Sequence, residues 1–165
     1  MRNGPLPVVA IGLAVVAALA LQGSLFARLP LPGGTPNLVL VLVVAVGLVG
    51  GASTGMLTGF AAGMLADLLS DHPAGVLALC FALAGFMAGL LETDTERSVF
   101  RPLFAVATAS VGTFLLYLGV FAVLGRAAAA GLADLPSTVV YDVMLTPFVV
   151  PVVSAAARRL DPDVR

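Results

Sequence analysis

The sequence has little of what disulfide-rich proteins and metalloenzymes need. Its 165 residues include one cysteine, Cys80, and one histidine, His72, and they include neither tryptophan nor lysine. A single cysteine excludes a disulfide within the chain, and one cysteine with one histidine argues against a Cys/His metal site. A Ser-x-x-Lys catalytic pair is also excluded, because it requires a lysine.

Charge is scarce as well. Only 10% of the residues are charged, against about 25% in a soluble domain, whereas 60% are hydrophobic and the mean hydropathy is +1.11. This composition is that of an integral membrane protein. No long basic run suggests nucleic acid as a partner. The first apolar stretch lacks a small-residue cleavage motif, which predicts a retained span and not a signal peptide.

Six apolar stretches predict an all-α membrane domain over residues 1–165. The run from residue 37 to residue 69 would be roughly 50 Å long as one helix, which is too long for one crossing. We therefore place a break between Gly50 and Gly51. The short segment before this break either crosses a locally thinned bilayer or is re-entrant. The predicted spans are 6–27, 37–50, 51–69, 73–91, 103–125 and 137–157.

The distribution of arginine predicts the orientation. With six spans both termini lie on one side of the membrane, and that side would carry six of the eight arginines. Positive residues concentrate in cytoplasmic segments, so both termini are predicted to be cytoplasmic. The six arginines are Arg2, Arg97, Arg101, Arg158, Arg159 and Arg165, against Arg28 and Arg126 on the other side.

A row of glycines with a four-residue step dominates the third predicted span. Residues four apart lie on one face of a helix, and small residues in lipid allow another helix backbone to approach closely. The row therefore predicts a helix-packing surface, either for another helix of this chain or for the helix of a partner. Its members are Gly51, Gly55, Gly59 and Gly63.

Two carboxylates fall inside predicted spans. Asp67 continues the glycine row, and Asp142 lies in the sixth span between Thr138 and Thr146. Charged residues inside a span are costly and usually face the bundle or a wet cavity. One hypothesis is a polar cluster of both aspartates near the outer surface that binds a ligand or a partner helix. The alternative is two separate carboxylates, each solvated or hydrogen-bonded by nearby hydroxyls.

Catalysis has little support in the sequence. A nucleophile needs a base and an orienting group, and the single histidine falls in a predicted turn, residues 70–73. Two carboxylates can act as acid and base, but carboxylates inside spans also occur in structural and transport proteins. The sequence thus predicts a protein that is not an enzyme and that has no cofactor or metal.

Several of these residues together resemble the MreD family of bacterial rod-shape-determining membrane proteins. The resemblance covers nearly the whole chain. It rests on a proline-started apolar helix, a G-x-x-x-G-F-x-x-G-x-x-x-D motif, a short Pro/Gly turn, an Arg-Pro helix start and a last span with Tyr141 and prolines. The residues that carry the first four features are Pro36 and Asn37; Gly55, Gly59, Phe60, Gly63 and Asp67; Pro73 and Gly75; and Arg101 and Pro102.

The resemblance implies a subunit of the elongation complex in the bacterial cytoplasmic membrane that determines cell shape and organises peptidoglycan synthesis. It implies binding to MreC, whose single transmembrane helix would lie on a glycine-lined face, and association with the RodA/penicillin-binding-protein synthase and MreB. The family is similar in fold to the substrate-binding components of energy-coupling-factor transporters. That similarity supplies the alternative function, the binding of a vitamin or metal in an outer-facing cavity.

Overall fold

A computed structural model of the chain describes residues 5–24, 33–70, 75–91, 100–123 and 134–160. This part of the chain is helical and has no strand, in agreement with the predicted all-α membrane protein. The helices are α1 (Pro5–Ser24), α2 (Leu38–Leu68), α3 (Val76–Leu90), α4 (Phe100–Val123) and α5 (Leu135–Leu160).

Within these ranges, four stretches are long and apolar enough to cross a membrane by length and composition. Helix α3 is apolar too but has only 15 residues, which corresponds to about 22 Å of helix. These stretches make the chain a multi-pass membrane protein. They are Pro7–Ser24, Leu38–Leu68, Phe100–Val120 and Leu135–Leu160.

Helix α2 is interrupted at Gly51, which has φ 83° and ψ 174°. The sequence predicts a break between Gly50 and Gly51, so the interruption falls at the expected place. A Cβ atom on Gly55 would lie 2.8 Å from the Cα of Gly47. In a continuous helix these two residues would be about 12 Å apart along the axis. The chain therefore folds back at Gly51, and the segments 38–50 and 52–68 lie side by side next to the break.

The second segment of α2 packs against α3 through glycine. Cβ atoms on Gly55, Gly59 and Gly63 would overlap the main-chain carbonyls of Gly85, Phe81 and Leu77, respectively. Each step of four residues along α2 is matched by a step of four residues backwards along α3. The two helices are therefore antiparallel, and their backbones are in direct contact over two helical turns.

The first segment of α2 occupies the centre of the molecule. All residues from Val39 to Leu48 are buried, although adjacent positions of a helix point in different directions. A helix that is apolar on every side is expected to be buried on every side, and the run from residue 38 to residue 46 is such a sequence. Helices α1 and α4 contribute one face each to this core, through Val15 and Ala18 and through Ala105 and Val106.

Two helices start before the spans predicted for them, and in both cases the helix includes a proline that the predicted span leaves out. Helix α4 begins at Phe100 and not at residue 103, and α5 begins at Leu135 and not at residue 137. Pro102 and Pro136 thus lie in the first turn, where proline is tolerated because its missing N–H has no partner in the helix. In the interior of α5, Pro147 is followed one turn later by a second proline, and the helix continues through both.

Candidate functional site

Asp142 is the most deeply buried polar residue of α5. Its side chain is 0% exposed. One carboxylate oxygen, Oδ1, accepts a hydrogen bond of 2.6 Å from the main-chain N–H of Asn37, and the other, Oδ2, accepts one of 2.7 Å from the hydroxyl of Ser110. A single carboxylate thus joins α5 to α4 and to the start of α2.

The start of α2 receives two further side-chain hydrogen bonds. The side chain of Asn37 accepts from the N–H of Leu40 at 3.1 Å, and Gln22 of α1 accepts from the N–H of Val39 at 3.2 Å. The first N–H groups of a helix have no partner within the helix, and leaving them unpaired in an apolar surrounding is costly. Three side chains meet this need, those of Gln22, Asn37 and Asp142. With Ser110, which donates to Asp142, we name them the α2 cap cluster.

The hydroxyls expected to bind the Asp142 carboxylate do not supply its hydrogen bonds. Thr146 donates to the main-chain oxygen of Asp142 at 2.9 Å, and the Thr138 hydroxyl lies where a Cβ atom on Gly34 would be. Thr138 and Thr146 lie on the same helix as Asp142, whereas the hydroxyl that binds its carboxylate, that of Ser110, lies on α4. Ser110 was missed, and the available signal was a polar residue in the middle of an apolar span.

Asp67 performs a similar task at the start of α3. Its side chain is 2% exposed, and it accepts from the N–H groups of Gly75 at 2.8 Å, Leu77 at 3.1 Å and Ala78 at 3.1 Å. Gly75 has φ 99° and offers no side-chain cap of its own. A carboxylate at this place also complements the positive end of the helix dipole. The last turn of α2 therefore supplies the cap of α3.

The hydrogen bonds described for Asp67 and for Asp142 involve different residues. Asp67 joins α2 to α3, whereas Asp142 joins α5 to α4 and α2. Each carboxylate has donors at both of its oxygen atoms. The arrangement can hold helix ends in place inside a membrane, and every oxygen of the two carboxylates accepts at least one hydrogen bond from the protein.

The other candidate residues from the sequence are the glycine row, Cys80 and His72. Gly51 is buried at the interruption of α2, and Gly55, Gly59 and Gly63 face α3. Within the described ranges, no group of three or more His, Cys, Asp or Glu residues is placed to hold a metal ion. Cys80 is a buried free thiol. His72 lies outside the described residues.

These features define a class: a multi-pass, all-helical membrane protein whose helices are joined by backbone contacts at glycine and by buried caps. Within this class, the family model of the rod shape-determining protein MreD matches residues 6–154. The chain therefore belongs to the MreD family, as the sequence motifs indicate, and with it to the proteins of cell shape and the elongation complex. No curated protein and no solved structure shows a significant match to the chain. The similarity to energy-coupling-factor transporter components stays a prediction.

Proposed function

We propose that the protein is a non-enzymatic membrane subunit of the cell-wall elongation complex. It would bind MreC and organise peptidoglycan synthesis together with the RodA/penicillin-binding-protein synthase and MreB. The observation that carries this proposal is the match to the MreD family over residues 6–154. The carboxylates of Asp142 and Asp67 accept hydrogen bonds from N–H groups at the starts of α2 and α3. Such bonds hold the helices in place, which supports a rigid partner-binding subunit.

We also propose that the chain crosses the cytoplasmic membrane six times and has both termini in the cytoplasm. Two observations support six crossings: the interruption at Gly51, and the close approach of Gly47 and Gly55 on either side of it. The short segments 38–50 and Val76–Leu90 would require a locally thinned bilayer. The arginine distribution of the sequence supports the orientation.

The function can be tested by complementation. The gene would be expressed in a rod-shaped bacterium that lacks its own MreD, together with the MreC from the same source as this chain. We expect cells of rod shape and constant width, and we expect MreC to co-purify with the protein in mild detergent. Round cells and no MreC, at a normal membrane level of the protein, would contradict the proposal.

The same purification tests the transport alternative. Mass spectrometry of small molecules in the purified sample would detect a tightly bound vitamin, and elemental analysis would detect a metal. A stoichiometric ligand of this kind would favour a substrate-binding component of a transporter. We expect none, because both buried carboxylates already accept hydrogen bonds from the protein.

A further inference from the structure

A stretch of chain that is not helical, residues 33–36, leads into α2. At its beginning, the N–H of Gly34 donates to the hydroxyl of Ser137 at 2.7 Å. Directly after it, the N–H of Asn37 donates to the carboxylate of Asp142 at 2.6 Å. Both acceptors belong to α5. Residues 33–36 therefore run alongside the first turns of α5 and in the same direction.

This stretch enters the apolar region of the membrane. Helix α5 has Arg158 in its last turn, and arginine near a helix end extends to the membrane surface. Asp142 precedes Arg158 by about 24 Å of helix, at about 1.5 Å per residue. The hydrocarbon core is about 30 Å thick, so Asp142 lies inside it, about 6 Å from the opposite surface. Residues 33–36 lie next to the part of α5 that leads from this surface to Asp142.

One side of the stretch has no partner in the protein for its main-chain groups. Thr35 is exposed, whereas its neighbours Gly34 and Pro36 are buried. Within the described part of the chain, neither the N–H nor the carbonyl oxygen of Thr35 takes part in a hydrogen bond. Unpaired main-chain groups are costly in hydrocarbon, and non-helical backbone at membrane depth occurs only where it is buried in protein or lines a water-filled cavity. The buried side of the stretch meets the first condition, and the exposed side must meet the second.

We propose that the exposed side of residues 33–36 lines a water-filled cleft, which opens to the outer side of the membrane and ends at the α2 cap cluster. Water in this cleft pairs with the main-chain groups of Thr35. The side chains at its end are polar: Gln22 and Asn37 are half-buried, and both accept hydrogen bonds at the start of α2. The cleft itself is inferred from the contacts of residues 33–36, whereas its outward direction rests on the proposed cytoplasmic position of both termini.

Three exposed positions allow a matched test. Thr35 lies in the cleft. Val140 is also exposed and lies at a similar level, but it is two residues from Asp142 and so points about 200° away from it around α5. It therefore faces lipid. Asp134, which is exposed and precedes α5, is the position in open water. Each would be replaced by cysteine in the full chain carrying Cys80→Ala, because Cys80 is the only other thiol.

Labelling with a sulfonated maleimide, which does not cross membranes, measures access from each side. Right-side-out and inverted membrane vesicles would be treated separately, and the thiols left unlabelled would be counted after denaturation. The reactive thiolate forms in water and not in hydrocarbon. In right-side-out vesicles we expect Thr35→Cys to react at a rate within about tenfold of Asp134→Cys, and Val140→Cys to react at least about tenfold more slowly than Thr35→Cys.

Two labelling results would overturn the cleft. The first is an equal rate for Thr35→Cys and Val140→Cys, and the second is no reaction of Thr35→Cys in either kind of vesicle while Asp134→Cys reacts. Reaction of Thr35→Cys and Asp134→Cys only in inverted vesicles would overturn the outward opening together with the proposed orientation. Size-exclusion profiles of the purified variants must match that of the Cys80→Ala protein, which separates loss of the cleft from loss of the fold.

Hydrogen–deuterium exchange of the original chain in lipid nanodiscs tests the same proposal without a substitution. The N–H of Thr35 should exchange rapidly, because it is paired with water. The N–H of Asn37 should be protected, because it donates to Asp142. Protection of both N–H groups would overturn the proposal.

Discussion

The carboxylate of Asp142 accepts a hydrogen bond of 2.6 Å from the main-chain N–H of Asn37, a residue 105 positions earlier in the chain. Helix α5 therefore caps the start of α2. The second oxygen of the same carboxylate accepts from Ser110 of α4 at 2.7 Å. Three helices thus meet at one side chain in an apolar surrounding, where unpaired polar groups are costly.

The first prediction is that this position requires hydrogen bonding and not charge. In Asp142→Asn, the amide oxygen can still accept from Asn37, and the amide N–H can donate to the Ser110 hydroxyl, which can also accept. We expect a change in stability of about 1 kcal/mol or less. Asp142→Leu leaves the half-buried N–H of Asn37 and the buried hydroxyl of Ser110 without this partner and should cost about 2–5 kcal/mol.

Melting in mild detergent, followed by size-exclusion chromatography, measures this difference. Asp134→Asn is the matched control, because Asp134 is exposed and precedes the same helix. Equal melting temperatures for Asp142→Asn and Asp142→Leu would contradict the role of the hydrogen bonds.

The second prediction is that Asp67, unlike Asp142, requires both carboxylate oxygens. Its three donors are all main-chain N–H groups, that of Gly75 just before α3 and two in the first turn of the helix, and they are distributed over both oxygens. In Asp67→Asn, one of these N–H groups would face an amide N–H, and the favourable interaction of a negative charge with the helix dipole would be lost. We expect a loss of about 2 kcal/mol and a lower melting temperature than that of Asp142→Asn. The opposite order of melting temperatures would refute this account of the two caps.

The third prediction concerns the reversal at Gly51. Its φ of 83° with ψ of 174° is a conformation that residues with a Cβ atom rarely adopt. Gly51→Ala should therefore destabilise the protein by about 1–3 kcal/mol. Gly12→Ala in α1 is the control, because that glycine is helical and has open space around it. It should be neutral or slightly stabilising. Equal stability of both variants would contradict a reversal that depends on glycine.

The reversal and the glycine row could be predicted from the sequence because they depend on local features. A run of apolar residues that is too long for one crossing must break, and Gly50–Gly51 is the place where a break costs least. Likewise, the spacing of Gly55, Gly59 and Gly63 specifies one helix face before any partner is known.

The caps could not be predicted in the same way, because they join residues that are far apart in the chain. The sequence does indicate Asp67 and Asp142 as candidates, since charge inside a span is rare. Their partners depend on which helices become neighbours. Ser110 and Gln22 approach the start of α2 only once α1, α4 and α5 surround it, and helical periodicity contains no information about that arrangement.

The fourth prediction is that both ends of the chain lie in the cytoplasm. Reporter fusions at Arg2 and at Arg165 should both give a cytoplasmic signal, because the six-crossing arrangement places six of the eight arginines on that side. Fusions within the segments 28–36 and 126–134 should give the opposite signal. Different signals at Arg2 and Arg165 would remove one crossing, and the segment 38–50 would be the first to be reconsidered.

The fifth prediction concerns the glycine row, in which contact between two helices of one chain competes with contact to MreC. A Cβ atom on Gly59 would overlap the carbonyl of Phe81 in α3. Gly59→Leu would therefore push two backbones apart, and helix association in lipid depends on their close packing. Gly119→Leu is the matched control in open space.

The amount of folded Gly59→Leu protein in the membrane, measured together with the MreC that co-purifies with it, tests the account most directly. We expect the membrane level to fall several-fold below that of Gly119→Leu, with MreC falling in proportion to the protein. A normal level of the protein with loss of MreC would make the row the partner face and would contradict the account.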